Sequence, residues 1–369
     1  MRYRRMPIEV ESPEQLGYDQ IKHNLTESSF ADMTFGELAL DLTRLPLAYC
    51  DHLGKPELRD LIARDSGLPS RHHVMLTPGA VSALFIIATT LLEADDHILV
   101  VRPNYATNLE TPRAIGCHVD IYDLQFEEGF DIDLGRLTAM LHPKTKYISI
   151  TVPNNPTGVV ISAARLHSLI ALAESRGIKL LVDETYREMT YEDMLPVAAS
   201  LSPAVISVSS LSKTYGLPGI RIGWLATQDA ALMETFLAAK EQIVICNSVI
   251  DEEIAWQFYR SKSAWLARNR AEIIARFGLV RGWFAQQDEL EWVEPRGGCV
   301  AFPRIKPALR VDVDRFYQIL QAQHGTYVGP GHWFEMDRRF FRLGFGWPSR
   351  ADLNAGLAAI TASVRAACG

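Results

Sequence analysis

The sequence lacks the long apolar run that a membrane-spanning helix requires. Such a helix takes about 20 consecutive apolar residues, whereas the most apolar stretch, residues 80–92, is shorter and contains Ser82 and Thr89. The basic residues at the start of the chain are followed by glutamates and not by an apolar segment, which is unlike a secretory signal. We therefore expect no membrane partner and a cytoplasmic location.

Cysteine is scarce and irregularly spaced. The chain has five cysteines, an odd number, and no two of them are close in sequence. Disulfide frameworks use an even number of cysteines, and structural zinc sites use closely spaced pairs. The pattern predicts reduced thiols and no metal site, in keeping with a cytoplasmic protein.

Basic charge is not in excess either. The formal net charge is −7, which disfavours binding to nucleic acid phosphates. The 369 residues, of which 48% are apolar, suffice for about two globular domains at roughly 150 residues each. We expect a globular protein whose partners are small molecules and not nucleic acids.

Apolar, β-branched runs alternate with helical patterns through the middle of the chain. This alternation is typical of a doubly wound, mainly parallel α/β sheet. The predicted strands are 97–101, 119–122, 147–152, 179–182, 205–208 and 222–226, and the predicted helices are 80–93, 162–176 and 229–242.

The chain changes character after residue 251. Residues 251–286 predict one long helix or two in series, and shorter strand and turn signals follow them. We predict a large domain at 46–251 and a smaller α+β domain at 252–369. The N-terminal segment 1–45 would contribute to the smaller domain.

Polar, turn-rich segments follow four of the predicted strands. In parallel sheets, ligands bind beyond the carboxyl ends of the strands. The four segments would therefore meet at one edge of the sheet and form a site. They are RPNY at 102–105, PNNPTG at 153–158, DETY at 183–186 and SSLSK at 209–213.

Lys213 lies among serines and glycines between two predicted strands, with Arg221 shortly after it. A desolvated lysine can form an imine with an aldehyde, and hydroxyl groups with a guanidinium suit a phosphate. A solvated lysine in a polar loop would have the same local sequence. The glycines of a Walker A loop are missing, and no G-x-G-x-x-G follows a strand.

Asp183 ends a predicted buried strand, where an uncompensated carboxylate is costly. It could cap a helix or form a salt bridge. It could also pair with the ring nitrogen of pyridoxal 5'-phosphate (PLP), with Tyr186 donating to the ring oxygen. Residues 154–158 have the composition of a turn, and an asparagine there could touch a ring substituent.

Together these motifs resemble those of class I and II aminotransferases, which are fold-type I PLP-dependent enzymes. The most specific motif is S-x-x-K with an arginine eight residues after the lysine, and NNPTG and DxxY precede it in the family's order. The resemblance covers nearly the whole chain. It implies a large domain with a mainly parallel, doubly wound sheet, a smaller α+β domain, and a homodimer with shared active sites.

The resemblance also implies a role for each residue of the site. Lys213 would hold PLP as a Schiff base and carry the proton of the 1,3-shift, and Asp183 would pair with the ring nitrogen. Asn155 and Tyr186 would bind the ring oxygen, Asn155 lying next to the substrate, whose α-carboxylate Arg342 would clamp. The other cofactor ligands would be Ser210, Arg221 and the backbone of Gly79, Ala80 and Val81 at the phosphate, Tyr105 on the ring, and Tyr49, which would reach the phosphate in the neighbouring subunit.

The activity implied is transfer of an amino group from an L-amino acid to a 2-oxo acid. A PLP-dependent lyase or cyclase of specialised amino acid metabolism, of the C–S lyase or capreomycidine synthase type, could use the same fold. The segment NLTESS at 24–29 is similar to such enzymes. A non-catalytic PLP-sensing domain is a third, remote alternative.

Substrate choice is less clearly indicated. We can place no second arginine as a clamp for a side-chain carboxylate, which disfavours a strict aspartate or glutamate enzyme. The acids Asp251, Glu252 and Glu253 could favour a cationic substrate such as arginine. They could equally stabilise the first turn of a helix capped by Ser248.

Overall fold

The computed structural model describes residues 1–38 and 40–368. The strands are β1 (His23–Leu25), β2 (Val74–Pro78), β3 (His97–Arg102), β4 (His118–Asp123), β5 (Thr145–Thr151), β6 (Lys179–Asp183), β7 (Val205–Ser210), β8 (Ile222–Ala226), β9 (Leu290–Glu291), β10 (Val300–Ala301), β11 (Arg304–Ile305), β12 (Thr326–Pro330) and β13 (Phe341–Gly344). The α-helices are α1 (Pro7–Val10), α2 (Pro13–Leu16), α3 (Pro56–Asp65), α4 (Gly79–Leu91), α5 (Thr107–Ile115), α6 (Leu134–Ala139), α7 (Ala163–Arg176), α8 (Ala230–Ile243), α9 (Val249–Tyr259), α10 (Lys262–Phe284), α11 (Val313–Ala322) and α12 (Arg350–Ala367).

The central sheet has seven strands in the order β2-β8-β7-β6-β5-β3-β4. The five strands from β4 to β7 are mutually parallel, while β8 is antiparallel to both of its neighbours. Parallel strands need crossover connections, and helices in those connections cover both faces of the sheet. The predicted doubly wound α/β fold is confirmed.

Alternate residues of β3 show how the sheet is buried on both faces. Ile98 and Val100 belong to the core that includes residues of α4 and α8, whereas Leu99 and Val101 belong to the core that includes residues of α7. Because side chains alternate across a strand, a strand covered on both faces has a continuous apolar sequence. This explains why these runs were recognisable from sequence.

The helix ends follow local capping rules. The Oγ of Ser162 accepts a hydrogen bond from the N–H of Arg165 at the start of α7 (3.1 Å), and the carboxylate of Asp229 caps α8 in the same way (3.0 Å). The predicted helical region at 251–286 forms two helices, α9 and α10, that are separated at Arg260 and Ser261. No helix of the described residues has the length and apolar character to cross a membrane.

A second sheet joins the two ends of the chain. Its order is β1-β12-β13-β10, and β1 pairs in parallel with β12, so that His23 lies opposite Thr326. The N-terminal β1 is thus linked through β12 to β13, whose Arg342 donates to Asn155 after β5. The domain boundaries at 45 and 251 stay predictions; α9, just beyond the second, packs Ala255 and Phe258 into the core of the central sheet.

Candidate active site

A cavity of about 260 Å³ lies at the carboxyl ends of β6 and β7, beside the start of α4. It brings together all of the site residues predicted from sequence except Gly79 and Tyr49. The predicted residues that line it are Ala80, Val81, Tyr105, Asn155, Asp183, Tyr186, Ser210, Lys213, Arg221 and Arg342.

Asp183 is the last residue of β6, and its side chain is 6% exposed. One carboxylate oxygen accepts hydrogen bonds from the N–H (3.0 Å) and the hydroxyl (2.6 Å) of Thr185. Burial raises the pKa of Asp183, and the hydrogen bonds from Thr185 oppose that shift. A buried carboxyl that forms no salt bridge with the described residues is suited to a cationic ligand.

Lys213 lies in the loop that follows β7. The hydroxyl of Thr214 donates to the carbonyl oxygen of Thr185 (2.8 Å), which fixes this loop to the one after β6. The N–H of Phe30 donates to the carbonyl oxygen of Lys213 (3.3 Å). The backbone of Lys213 is therefore held from two sides while its side chain lines the cavity.

The start of α4 and Arg221 form one wall of the cavity. Arg221 has a left-handed backbone, with φ of 48°, and its Nη1 donates to the carbonyl oxygen of Pro218 (2.8 Å). A Cβ on Gly79 would collide with the Arg221 guanidinium, and one on Gly223 would lie 2.5 Å from the nitrogen of Ala80. The two glycines let a guanidinium and a helix N-terminus approach each other, and both groups favour an anion such as a phosphate.

Arg342 lies on β13 at the opposite wall and is 5% exposed. Its Nη1 donates to the Oδ1 of Asn155 (3.2 Å) and its Nη2 to the carbonyl oxygen of Thr26 (2.6 Å). Its Nε has no hydrogen-bond partner among the described residues, and burial lowers its pKa. A buried guanidinium with a free donor is suited to a carboxylate.

Three tyrosines occupy different environments. Tyr186 is buried, and burial raises its pKa. The hydroxyl of Tyr105 donates to Oε1 of Glu9 (3.1 Å), and burial raises its pKa as well. Tyr49 is 83% exposed and does not line this chain's cavity.

The family described as aminotransferase class I and II matches residues 41–360. The chain belongs to this family. It is 30% identical over 357 residues to capreomycidine synthase of Streptomyces vinaceus, covering 93% of this chain and 90% of that protein. It is 26% identical to an arginine–pyruvate transaminase of Pseudomonas aeruginosa, covering 78% and 74% of the two chains.

The solved structures agree with this membership. A PLP-dependent aminotransferase from Streptococcus suis superposes with a TM-score of 0.91 at 27% identity, covering 100% of this chain and 99% of that one. The aminotransferase chain is therefore a fold-type I enzyme with PLP as its cofactor, as predicted. Its membership of this enzyme class argues against the reading as a non-catalytic sensing domain.

The cavity of this aminotransferase fits PLP. Asp183 has a buried carboxyl that can accept a hydrogen bond from a protonated ring nitrogen. The start of α4 and Arg221 are suited to binding the phosphate. Lys213 lines the same cavity. The orphaned Nε of Arg342 is suited to the carboxylate of an amino acid bound next to the cofactor.

The acids at 251–253 lie outside the cavity. Glu252 accepts hydrogen bonds from the N–H of Lys55 (2.7 Å) and the side chain of Asn247 (2.8 Å), and Glu253 pairs with the ammonium of Lys55 (3.0 Å). The N–H of Asp251 donates to the hydroxyl of Ser248 (3.4 Å). Ser248 caps α9 as the structural alternative predicts, and Glu252 and Glu253 connect the start of α9 to Lys55 before α3.

Sequence reasoning missed a set of cavity residues from the N-terminal segment. They lie on α1 and α2, between these two helices, and after β1; the NLTESS segment at 24–29 was the sequence signal for the last group. The missed residues are Ile8, Glu9, Ser12, Pro13, Glu14, Thr26, Glu27 and Ser28.

Proposed function

We propose that the enzyme moves an amino group from an L-amino acid to a 2-oxo acid, with Lys213 as the residue that holds PLP covalently. The observation that carries this proposal is the meeting of Lys213, Asp183 and Arg342 in one cavity. These three supply, in turn, a nucleophilic amine, a partner for a protonated ring and a partner for a carboxylate.

When bound, PLP supplies an electron sink for charge at the substrate α-carbon. Asp183 would keep the ring nitrogen protonated, and Arg342 with Asn155 would orient the substrate through its α-carboxylate. The Nζ of Lys213 would then remove and return the proton at the α-carbon. Ser210, Arg221 and the backbone of residues 79–81 would bind the phosphate, Tyr105 would stack on the ring, and Tyr186 would bind the ring oxygen.

The test is product analysis of the purified holoenzyme with a panel of L-amino acids, with and without 2-oxoglutarate or pyruvate. We expect a new amino acid to form from the 2-oxo acid in step with loss of the amino donor. Steady release of ammonia, with no need for a 2-oxo acid, would contradict transamination.

A second candidate is a lyase or cyclase reaction on the same fold. The observation in its favour is the similarity to capreomycidine synthase along 93% of the chain. In the same assay, a cyclase would give a product without any amino group transfer, and mass spectrometry of the reaction would identify it.

We also propose a homodimer in which Tyr49 reaches the phosphate of the neighbouring subunit. Tyr49 lies in an exposed loop next to the carboxyl end of α8. A hydrogen bond between the Nδ1 of His52 and Glu241 (2.6 Å) connects this loop to α8. Exposed apolar side chains surround this region: Leu47, Ile243, Ile245 and Ile250. Light scattering should give twice the mass of one chain, and Tyr49→Phe should weaken PLP retention; a monomer that turns over normally would contradict the proposal.

A cytoplasmic location is likewise a proposal. All five cysteines are free, at Cys50, Cys117, Cys246, Cys299 and Cys368, which supports a reducing compartment. Cell fractionation against compartment markers would test it, and recovery of the protein outside the cytoplasmic fraction would contradict it.

A further inference from the structure

The substrate side of the cavity contains three carboxylates that the proposed function does not use. They belong to Glu9 on α1, Glu14 on α2 and Glu27 after β1. None of them forms a salt bridge with another described residue. Glu9 accepts a hydrogen bond from Tyr105, and Glu27 accepts one from Tyr18 (3.2 Å).

Glu27 is held in position by its backbone. The Oδ1 of Asn24 accepts hydrogen bonds from the N–H (3.0 Å) and hydroxyl (2.7 Å) of Thr26, which forms a tight turn just before Glu27. A Cβ on Gly344 would collide with the carbonyl oxygen of Glu27, so the glycine lets this turn lie against β13 beside Arg342. A residue whose backbone is fixed in this way presents its carboxylate to the cavity at a defined place.

Glu9 and Glu14 are positioned by the residue between them. The Oε2 of Glu11 accepts hydrogen bonds from the Nε1 of Trp333 (2.7 Å) and the Nε2 of His332 (2.8 Å). The hydroxyl of Tyr327 donates to the carbonyl oxygen of Glu11 (2.8 Å). These contacts dock the α1–α2 segment over the cavity.

The cavity is lined by more acidic than basic side chains. Its basic side chains are Lys213, Arg221 and Arg342, and the proposed function uses them for the covalent link, the phosphate and the substrate carboxylate. Asp183 is used by the ring nitrogen. The three glutamates remain, and the like charge of Glu14 further raises the pKa that burial already raises at Glu27.

The free Nε of buried Arg342 independently points to a ligand in the same cavity. Arg342 is suited to the carboxylate end of that ligand, and Glu27 lines the same cavity, with its carbonyl oxygen packed against Gly344 on the strand that carries Arg342. A ligand that satisfies both groups has an anion at one end and a cation at the other.

We infer that Glu27, assisted by Glu9 and Glu14, selects an L-amino acid whose side chain ends in a cation, an ammonium or a guanidinium. This inference rests on the proposed function, because it takes Arg342 as the α-carboxylate partner. It names a specificity-determining site that lies on the N-terminal segment and not on the central sheet.

The first test compares matched substrates on the wild-type holoenzyme. L-Arginine is compared with L-citrulline, its neutral near-isostere, and L-lysine with L-norleucine. We expect kcat/KM to be higher for the cationic member of at least one pair by roughly 10- to 100-fold, the value of a hydrogen bond to a charged group. The pair with the larger ratio tells whether the site prefers guanidinium or ammonium.

The second test uses Glu27→Gln, which keeps the shape of the side chain and removes its charge. We expect kcat/KM for the preferred cationic substrate to fall by roughly 10- to 100-fold, mainly through KM. The value for its neutral partner should change by less than about threefold. A residue that only supports the fold would lower both values together.

Two further variants complete the test. Glu14→Gln, on the short helix α2, should lower the ratio of kcat/KM for the cationic substrate to that for its neutral partner, by a smaller factor. It replaces Glu27→Gln as the test variant if Glu27→Gln does not fold. Glu57→Gln changes an exposed glutamate on α3 outside the cavity and should leave the ratio unchanged.

The outcomes separate this inference from the proposed function. If neutral amino acids react as well as cationic ones, or if Glu27→Gln leaves the ratio unchanged, the inference is wrong while transamination stands. If no amino acid of the panel donates its amino group to a 2-oxo acid, the proposed function fails. A cationic substrate that is converted without amino group transfer would support the charge selection and contradict transamination.

Discussion

The two sides of the cavity are built differently. On the cofactor side, the functional groups come from the ends of largely buried strands of the central sheet and from the start of α4, such as Asp183 on β6 and Ser210 on β7. On the substrate side, Glu9 and Glu14 lie on α1 and α2 and Glu27 follows β1, elements of only four, four and three residues, while Arg342 lies on β13. The central sheet and its core hold one side, and short elements with a few hydrogen bonds and one strand pairing hold the other.

The difference shows how one fold can keep its cofactor and change its substrate. Strand ends are fixed by the pairing and core of the whole sheet, so a change there disturbs the fold. Short N-terminal elements depend on a few hydrogen bonds, such as those of Glu11, and can change with little effect on the sheet. The predictions below test whether the two sides are as separable as their construction suggests.

The largest effect is expected on the cofactor side, for Lys213→Ala. Turnover should fall by at least ~10²–10⁴-fold, the contribution of general acid–base catalysis, because the variant loses its proton carrier. Stopped-flow and steady-state assays measure the loss. Lys146→Ala, at an exposed position on β5, is the control that should keep full activity. Near-normal turnover in Lys213→Ala would show that Lys213 is not the catalytic lysine.

Gly223→Ala tests the rigidity of the cofactor side. The new Cβ would lie 2.5 Å from the nitrogen of Ala80, so β8 and α4 would have to move apart. We expect a loss of about 1–3 kcal/mol in the free energy of unfolding, typical of overpacking, together with weaker PLP binding. Denaturant titration and PLP absorbance measure the two effects.

The control for this variant is Gly219→Ala. A Cβ on Gly219 would meet nothing within 4 Å, so the substitution should be close to neutral. Equal losses in both variants would mean that the close approach of Gly223 to α4 is not what holds this wall of the cavity.

The same contrast explains what could be predicted from sequence. The buried strands had continuous apolar runs, and the polar residues after them were recognisable because the fold gathers strand ends at one edge. Asp183, Lys213 and Asn155 were found in this way, together with their family motifs. Arg342 could be identified only from the family resemblance, since an arginine on a short strand has no distinctive local pattern.

The N-terminal acids could not be predicted because their position depends on distant contacts. Glu27 reaches the cavity through the pairing of β1 with β12 and through the absence of a side chain at Gly344. Glu9 and Glu14 depend on the docking of Glu11 against Trp333. No local sequence pattern encodes such long-range packing. The acids considered from the sequence were those at 251–253, which lie at the start of α9 and contact Lys55 and Ser248.

Glu184→Gln tests how much folding stability is lost by burying an acid just after a strand on the cofactor side. Glu184 is buried next to Asp183, and burial raises its pKa from 4.5 to about 7, against the opposing effects of Ser207 and Arg187. Below pH 4.5 the carboxyl of Glu184 is protonated in both the folded and the unfolded chain. As the pH rises from 4.5 to about 7, the unfolded chain releases the Glu184 proton while the folded chain keeps it, so the folded protein becomes less stable.

Glutamine resembles the protonated acid and does not titrate. The variant should therefore be more stable than the wild type at pH 8, by roughly 3 kcal/mol, and the two should converge near pH 4.5. Thermal or urea unfolding across this pH range measures the difference. A constant offset between the two proteins at every pH would show that Glu184 does not titrate in this range.

The smallest effect is expected on the substrate side, for Glu11→Ala. The substitution removes the hydrogen bonds from Trp333 and His332 and loosens the α1–α2 segment, which displaces Glu9 and Glu14 from the cavity. A loss of on the order of 1 kcal/mol corresponds to about a fivefold higher KM for a cationic amino acid. PLP affinity should change little, because the contacts around Lys213, Asp183 and Arg221 are not altered and the cofactor-side contact at risk is the hydrogen bond from Tyr105 to Glu9. Asp19→Ala, which removes an exposed acid that bonds only its neighbour Gln20 among the described residues, is the matched control. If Glu11→Ala released PLP as readily as Gly223→Ala, the two sides of the cavity would be one cooperative unit and the separation argued above would fail.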